Sequence, residues 1–369
     1  MNPQLRYQIA LNYIEHIGPV RAKQLLSYFG SAEAIFKEST QSLAKLPSIG
    51  PERAAAIKKK EVLERADQEI TFIEKKNIKT YFFTDASYPY RLKECADAPL
   101  MLYGSGNLHL DAGHFIAIVG TRKPTDRGKA NTERLIKELG ERMNNITIIS
   151  GLAYGIDICA HRAALESGIP TIGIPAHGLD TIYPSTHRNT AAQMLERGGI
   201  LTEFCTRTIP DAGNFVRRNR IIAGLSDAVI VVESKEKGGS LITANYANGY
   251  NRDVFAFPGR PEDKESAGCN QLIKRNIAAL IENADDLIQY MNWDLITQSK
   301  KPIQTQLFEE LTDMERRILE QLRSHSDGLH INELALSMQV PFSNISAELV
   351  TMEFKGLVRA LPGSIYRAV

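Results

Sequence analysis

The feature that most restricts this chain is a regular exchange, from Phe115 onward, between short apolar runs and helical patterns. The runs are FIAIVG, ITIISG, TIGIPAHG, ILTEF, AVIVVES and DVFAFPG, separated by segments such as TERLIKELGERM and GIDICAHRAALESG. β-Branched runs without polar alternation belong to strands covered on both faces, and their exchange with amphipathic helices builds a doubly wound, mainly parallel α/β sheet. Leu272 to Met291 reads as closing helices. Ligands of such sheets bind beyond the carboxyl ends of the strands. Those ends supply Gly120-Thr121-Arg122, Ser150-Gly151 with Tyr154-Gly155-Ile156-Asp157 behind it, His177-Gly178-Leu179-Asp180 with Tyr183-Pro184, Glu203, Glu233 and the Lys237 to Ser240 turn. All are expected to face one crevice.

The densest signal lies between Asn214 and Thr243. Asn214 to Leu225 has helical spacing, with Ile221, Ile222 and Leu225 available to a core and Arg217 and Arg220 three apart on another face, flanked by Arg218. Ala228 to Val232 reads as a mid-sheet strand. Lys237-Gly238-Gly239-Ser240 follows, then the helical pattern LITANYANGY, and free N–H groups at a helix start beside Lys and Gly form an anion site. Arginines on a helix also occur as a solvated face, and a glycine turn as no more than a turn. Their convergence at one sheet edge favours a phosphate trough, with Phe215, two residues before the first arginine, either a base platform or a core aromatic.

Several chemistries lack their signatures. The first loop is not GxGxxG and no GxxxxGK[ST] occurs, so neither a dinucleotide fingerprint nor an ATPase P-loop is present. Asp157 and His161, four apart, are placed to pair, but no Ser or Cys nucleophile has a clear spacing to His161 or His177, and both histidines are read as structural. Cys95, Cys159, Cys205 and Cys269 are scattered, giving no disulfide framework and no CxxC zinc spacing. No metal or cofactor is expected. With 44 Lys plus Arg against 43 Asp plus Glu, any attraction for a polyanion must be local.

At 369 residues the chain exceeds one ordinary core. Residues 1–80 read as a helical domain in which Ile17-Gly18-Pro19-Val20-Arg21 and Ile49-Gly50-Pro51-Glu52-Arg53 form a weak repeat. Each unit resembles a helix-hairpin-helix, although Val20 and Glu52 replace that motif's second glycine; a plain helical bundle is the alternative. Residues 81–111, broken by Pro89 and Pro99, read as connector, 112–291 as the sheet domain, and 292–308, containing SKKPIQTQ, as a polar linker. Residues 309–369 give three helical patterns and a two-strand wing, the order of a winged helix. Its third helix carries Glu348, Glu353 and only Lys355, which favours a protein-contact or accessory role over DNA reading. No apolar run approaches the roughly 20 residues that cross a bilayer, and the N-terminus lacks a signal-peptide pattern, so a cytoplasmic location is expected.

Taken in order, Gly120-Thr121-Arg122, SGLAYGID, HGLD with YP, NFVRRNRIIAGLSDAVIVVES, GGSLITANYA and VFAFPG resemble the DNA-processing protein A family, DprA. The likeness covers almost the whole chain and implies an extended Rossmann-like domain, a SAM-like N-terminal helical domain and a C-terminal winged helix. It implies no catalytic reaction. It further implies a protein that binds and protects single-stranded DNA, loads the RecA recombinase during natural transformation, and forms homodimers through the central domain. By motif, the DNA contacts would be Gly120, Thr121, Arg122, Ser150, Gly151, Phe215, Arg217, Arg218, Asn219, Arg220, Lys237, Gly239 and Ser240. Gly238 departs from the family's frequent Ser-Gly-Ser. Two rivals come from other classes: a nucleotide-processing phosphoribohydrolase, and a transcription regulator acting through the winged helix.

Overall fold

The computed structural model describes residues 3–293, 311–325, 328–361 and 363–368. The expected linker at 292–308 lies, apart from Asn292 and Trp293, outside the described residues. The chain divides into two compact units, Met1–Ile296 and Thr297–Val369.

The first unit opens with α1 (Pro3–Leu11), α2 (Pro19–Phe29), α3 (Ala32–Lys37), α4 (Thr40–Ala44), α5 (Gly50–Ile57) and α6 (Lys60–Lys76). The two Ile-Gly-Pro turns begin α2 and α5, each with proline in the first turn, where its missing N–H is not needed. Arg53 links the turns, its Nε donating to the His16 carbonyl at 3.2 Å and its Nη1 to the Ser48 carbonyl at 3.1 Å.

The sheet region follows as β1 (Lys79–Phe82), α7 (Tyr90–Lys93), β2 (Met101–Gly106), β3 (His114–Val119), α8 (Asp126–Arg142), β4 (Ile146–Ser150), α9 (Ile156–Glu166), β5 (Thr171–Gly173) and α10 (Arg188–Met194). It continues as β6 (Gly198–Thr202), α11 (Ala212–Leu225), β7 (Ala228–Val231), α12 (Gly239–Gly249), β8 (Asp253–Ala256), α13 (Ala267–Lys274), β9 (Ala279–Leu280) and α14 (Ala284–Met291). Among the described residues nine strands form one sheet in the order β1-β2-β6-β5-β4-β3-β7-β8-β9. From β6 to β9 neighbouring strands run parallel, while β2 joins β6 and β1 joins β2 antiparallel.

The stretch 81–111 is therefore not a connector, because it completes β1 and supplies all of β2. Its side chains explain the difference. Phe82, Leu100, Met101 and Tyr103 share a core with the N-terminal helices, so the helical region packs on this added edge of the sheet. Both outer strands are short, four residues in β1 and two in β9.

Chain order reverses between β3 and β7, which lie side by side with Val119 opposite Val231. This switch point opens a crevice at the carboxyl ends of the two strands. The lack of alternation in the strands also finds its cause. Phe115, Ala117, Val119, Val229 and Val231 enter one apolar layer, while Ile116, Ile118, Ala228 and Ile230 enter the layer on the other face.

In the second unit α15 (Asp313–Arg323), β10 (Leu329–His330), α16 (Ile331–Met338), α17 (Phe342–Phe354), β11 (Val358–Leu361) and β12 (Ile365–Ala368) give the winged-helix order with a short extra strand. The sheet runs β10-β12-β11, and α15 opens on a capping box between Thr312 and Glu315.

One buried ion pair fastens α7 to the sheet. Arg91 holds Asp227 at 2.6 Å and the Gly113 carbonyl at 2.6 Å, and the same carboxylate accepts the Phe115 N–H at 2.8 Å. Removing one partner strands a charge in the interior, so Arg91→Ala should destabilise the first unit by about 3–5 kcal/mol. A denaturant titration that shows a midpoint unchanged from wild type would refute this.

Candidate nucleic-acid interface

Helix α11 forms one wall of the crevice. Asp211 caps it, accepting the Asn214 N–H at 2.8 Å, and the 3.6-residue period then sets Phe215, Arg218, Asn219 and Ile222 on one face. That face lines the crevice opposite Gly120, Thr121, Arg122 and Tyr154, with the turn from Lys237 to Ser240 closing the third side.

At its centre Phe215 has two guanidinium groups near its ring, Arg122 at 4.8 Å and Arg218 at 5.7 Å from the ring centroid. Such placements over an aromatic face are attractive and keep the cations near the ring. Arg122 is exposed and, among the described residues, has no carboxylate partner. Lys237 is exposed as well. Asn219 spans the crevice, its Nδ2 donating to the Gly239 carbonyl at 3.3 Å. No heavy atom lies within 4 Å of where a Cβ would sit on Gly239, so the start of α12 is open to a ligand. A side chain at Gly238 would collide with the Ser234 hydroxyl, which itself accepts the Ser240 hydroxyl at 3.0 Å. Ser234 fills the space, which accounts for glycine at 238.

Arg217 and Arg220 do not face this crevice, contrary to the sequence expectation. About 100° per residue carries both to the opposite side of α11 from Phe215 and Arg218. There they share the buried Glu203 carboxylate, Arg217 at 2.8 Å and Arg220 at 2.5 Å, and Arg220 also donates to the Asp97 carbonyl at 2.6 Å. Arg220 is buried, whereas the Arg217 side chain is 46% exposed. Glu203 is thus turned away from the crevice as well. Ser150 is fully buried, its hydroxyl donating to the Ile118 carbonyl at 2.6 Å, and Gly151 lies beneath the crevice rather than on its wall.

Arg218 is a buried strut as much as a wall residue. Its Nη1 donates to the Gly151 carbonyl at 2.6 Å and to the Ile174 carbonyl, joining α11 to the ends of β4 and β5. Burial brings the guanidinium down to about 10, opposed by Asp157, while burial raises the Asp157 carboxyl and Arg218 counteracts it. A Cβ on Gly151 would stand 2.5 Å from both Arg218 and Asp157, so only glycine lets the two approach.

Asp157 and His161 do not pair. Asp157 accepts the Gly151 and Ala153 N–H groups at 3.1 and 3.4 Å, and His161 Nδ1 contacts Thr171 Oγ1 at 2.7 Å. His177 takes the Tyr183 N–H at 3.0 Å. Both histidines are structural by geometry. Glu233 accepts the Thr125 N–H and hydroxyl at 2.8 and 2.7 Å. With Glu203 and Glu233 both engaged, neither strand-end glutamate is a free carboxylate for nucleotide hydrolysis.

Two aromatic side chains of the crevice region had no role in the sequence reading. Tyr154 is 47% exposed and lines the wall opposite α11, and the Tyr183 ring lies 6.2 Å from that of Phe215. Sequence placed both at strand ends, but exposure of a tyrosine is not legible from spacing.

Comparison with known proteins bears on the fold and the family. The sequence model of the family described as DNA recombination-mediator protein A matches residues 79–292, that of the DprA winged helix domain residues 303–364, and that of the SAM-like helix-hairpin-helix tandem residues 10–60. Protein Smf of Synechocystis sp. is 32% identical over 399 residues, covering 99% of both chains. Among solved structures, DNA processing protein A of Streptococcus pneumoniae is 32% identical with a TM-score of 0.62, covering 77% of this chain and 97% of that one. A Helicobacter pylori structure, described as showing a single-stranded DNA binding mode of DNA processing protein A, is 32% identical with a TM-score of 0.52, covering 58% of this chain and 95% of that one.

The buried floor of the site makes a pH prediction. Burial, with His187 and Arg218 adding to it, lowers the His161 imidazole from 6.5 to about 3. The folded state then binds fewer protons than the unfolded state between those values, so this group's contribution is full above 6.5 and is lost as pH falls towards about 3. His161→Leu should flatten the dependence of unfolding free energy on pH by about one proton in that window. Denaturant titrations of both proteins with parallel slopes would rule it out.

Proposed function

Because the chain belongs to the DNA recombination-mediator protein A family, we propose that it binds single-stranded DNA without sequence preference in the crevice at the switch point. The observation that carries this is Phe215 with the Arg122 and Arg218 guanidinium groups near its ring, in one crevice with the open start of α12. A strand binder of this kind needs a cationic track for the backbone and an aromatic face for the bases. In this reading Arg122, Lys237 and the backbone around Gly120, Thr121 and Gly239 meet phosphates, while Phe215 stacks on a base. Asn219 and Ser240 set the shape of the turn. Arg218, Ser150 and Gly151 act from below, by fixing the walls. Arg217 meets phosphate only by sharing itself with Glu203, and Arg220 holds the helix in place.

The wider role follows from family membership and remains part of the same proposal: protection of single-stranded DNA, loading of RecA during natural transformation, and homodimerisation through the Rossmann-like domain, which would join two crevices into a longer tract. A winged-helix domain at 309–369 and a cytoplasmic location belong to it too, while the sheet domain starts at β1 rather than at residue 112. Among the described residues no helix is long and apolar enough to cross a membrane.

Arg122→Ala with Lys237→Ala should weaken binding of an oligothymidylate about tenfold or more, and should make its salt dependence shallower by about 1.4, two phosphates at about 0.7 each. Mobility-shift titrations at two salt concentrations read both quantities, with duplex DNA as the comparison. Equal affinity and equal slope in variant and wild type would overturn the assignment of the crevice.

A further inference from the structure

Arg122 and Tyr154 line two cavities rather than one. On the far side of Tyr154 from Phe215 lies a second cleft between α8 and α9, and its lining includes Lys123, Lys129, Glu133, Arg162 and Glu166. We propose that this cleft is a second subsite for single-stranded nucleic acid, entered over Tyr154 by a strand leaving the crevice. The inference rests on the crevice reading and extends it to a longer track.

The charge of the cleft supports a polyanion. With Arg122, four cations face two carboxylates there, against a chain with 44 Lys plus Arg and 43 Asp plus Glu. Lys123, Lys129 and Arg162 are all exposed. Lys129 is drawn to Asp126 at 3.0 Å, and Arg162 reaches Thr190 Oγ1 only at 3.5 Å, so most of its donors are available. Among the described residues Lys123 has no carboxylate partner. It directly follows Arg122, which lines both cavities, and itself lines the second.

Tyr154 supplies the second component. Its ring is set edge-on against His187 at 5.2 Å, which supports it from one side, and 47% of the residue is open to solvent. An exposed ring braced in this way is a platform on which a base can stack, and stacking tolerates any base. Phe215 and Tyr154 then offer faces to successive parts of one strand, with Arg122 between the two cavities. A single mononucleotide would occupy one cavity and gain nothing from the other, so the ligand class is a strand long enough to reach both.

The test is fluorescence anisotropy of the full chain with oligothymidylates of about four and about twelve nucleotides at two salt concentrations. Lys123→Ala with Arg162→Ala should weaken the longer ligand about three- to tenfold and make its salt slope shallower by about 1.4, leaving the shorter ligand unaffected. Glu166→Gln should strengthen the longer one, a gain that misfolding cannot mimic. Tyr154→Ala should weaken the longer ligand and Tyr154→Phe should restore it. Wild-type binding of both ligands, with the Lys123/Arg162 variant superimposing on it for the longer, overturns this subsite and leaves the crevice standing. Wild-type binding of neither overturns both.

Discussion

A single buried guanidinium holds the site together. Arg218 reaches from α11 to carbonyl oxygens at the ends of β4 and β5, and so fixes the helix that carries Phe215 and Asn219 against the strand ends they must face. An isolated charge in that position would cost several kcal/mol. Asp157 supplies the compensating charge from the first turn of α9, and Gly151 leaves the space between the two free of a side chain. Three elements far apart in the chain are thereby locked into one arrangement.

The layered sheet was legible because its cause is local. Unbroken runs such as AVIV and FIAIV appear only where both faces are buried, and the observed layers on either side of β3 and β7 bear this out. The antiparallel edge was not legible, because Pro89 and Pro99 punctuate the segment and its strands are defined by packing on the N-terminal helices. The same distinction divides the site. Position at a strand end could be read from the motif order, but orientation around α11 depends on which side chains find carboxylates. Glu203 decides the fate of Arg217 and Arg220, and nothing in the local spacing announces that partnership.

Electrostatics at the site are accordingly different from what an arginine count suggests. Glu203 and Asp157 balance the arginines of α11, so that segment contributes architecture more than field. The cations left to solvent stand elsewhere, at Arg122, Lys123 and Lys237, around the rim. Buried arginines set shape, exposed ones set attraction, and the two tasks fall to different residues of one constellation.

The short outer strands bear on how copies of the molecule can meet. A long bare margin invites another chain to add itself by main-chain pairing, with little regard for sequence. With only four residues in β1 and two in β9, neither margin offers such a template. The proposed homodimer would then rest on side chains of helices and loops, where recognition is specific, saturable and separable by mutation from the grip on nucleic acid.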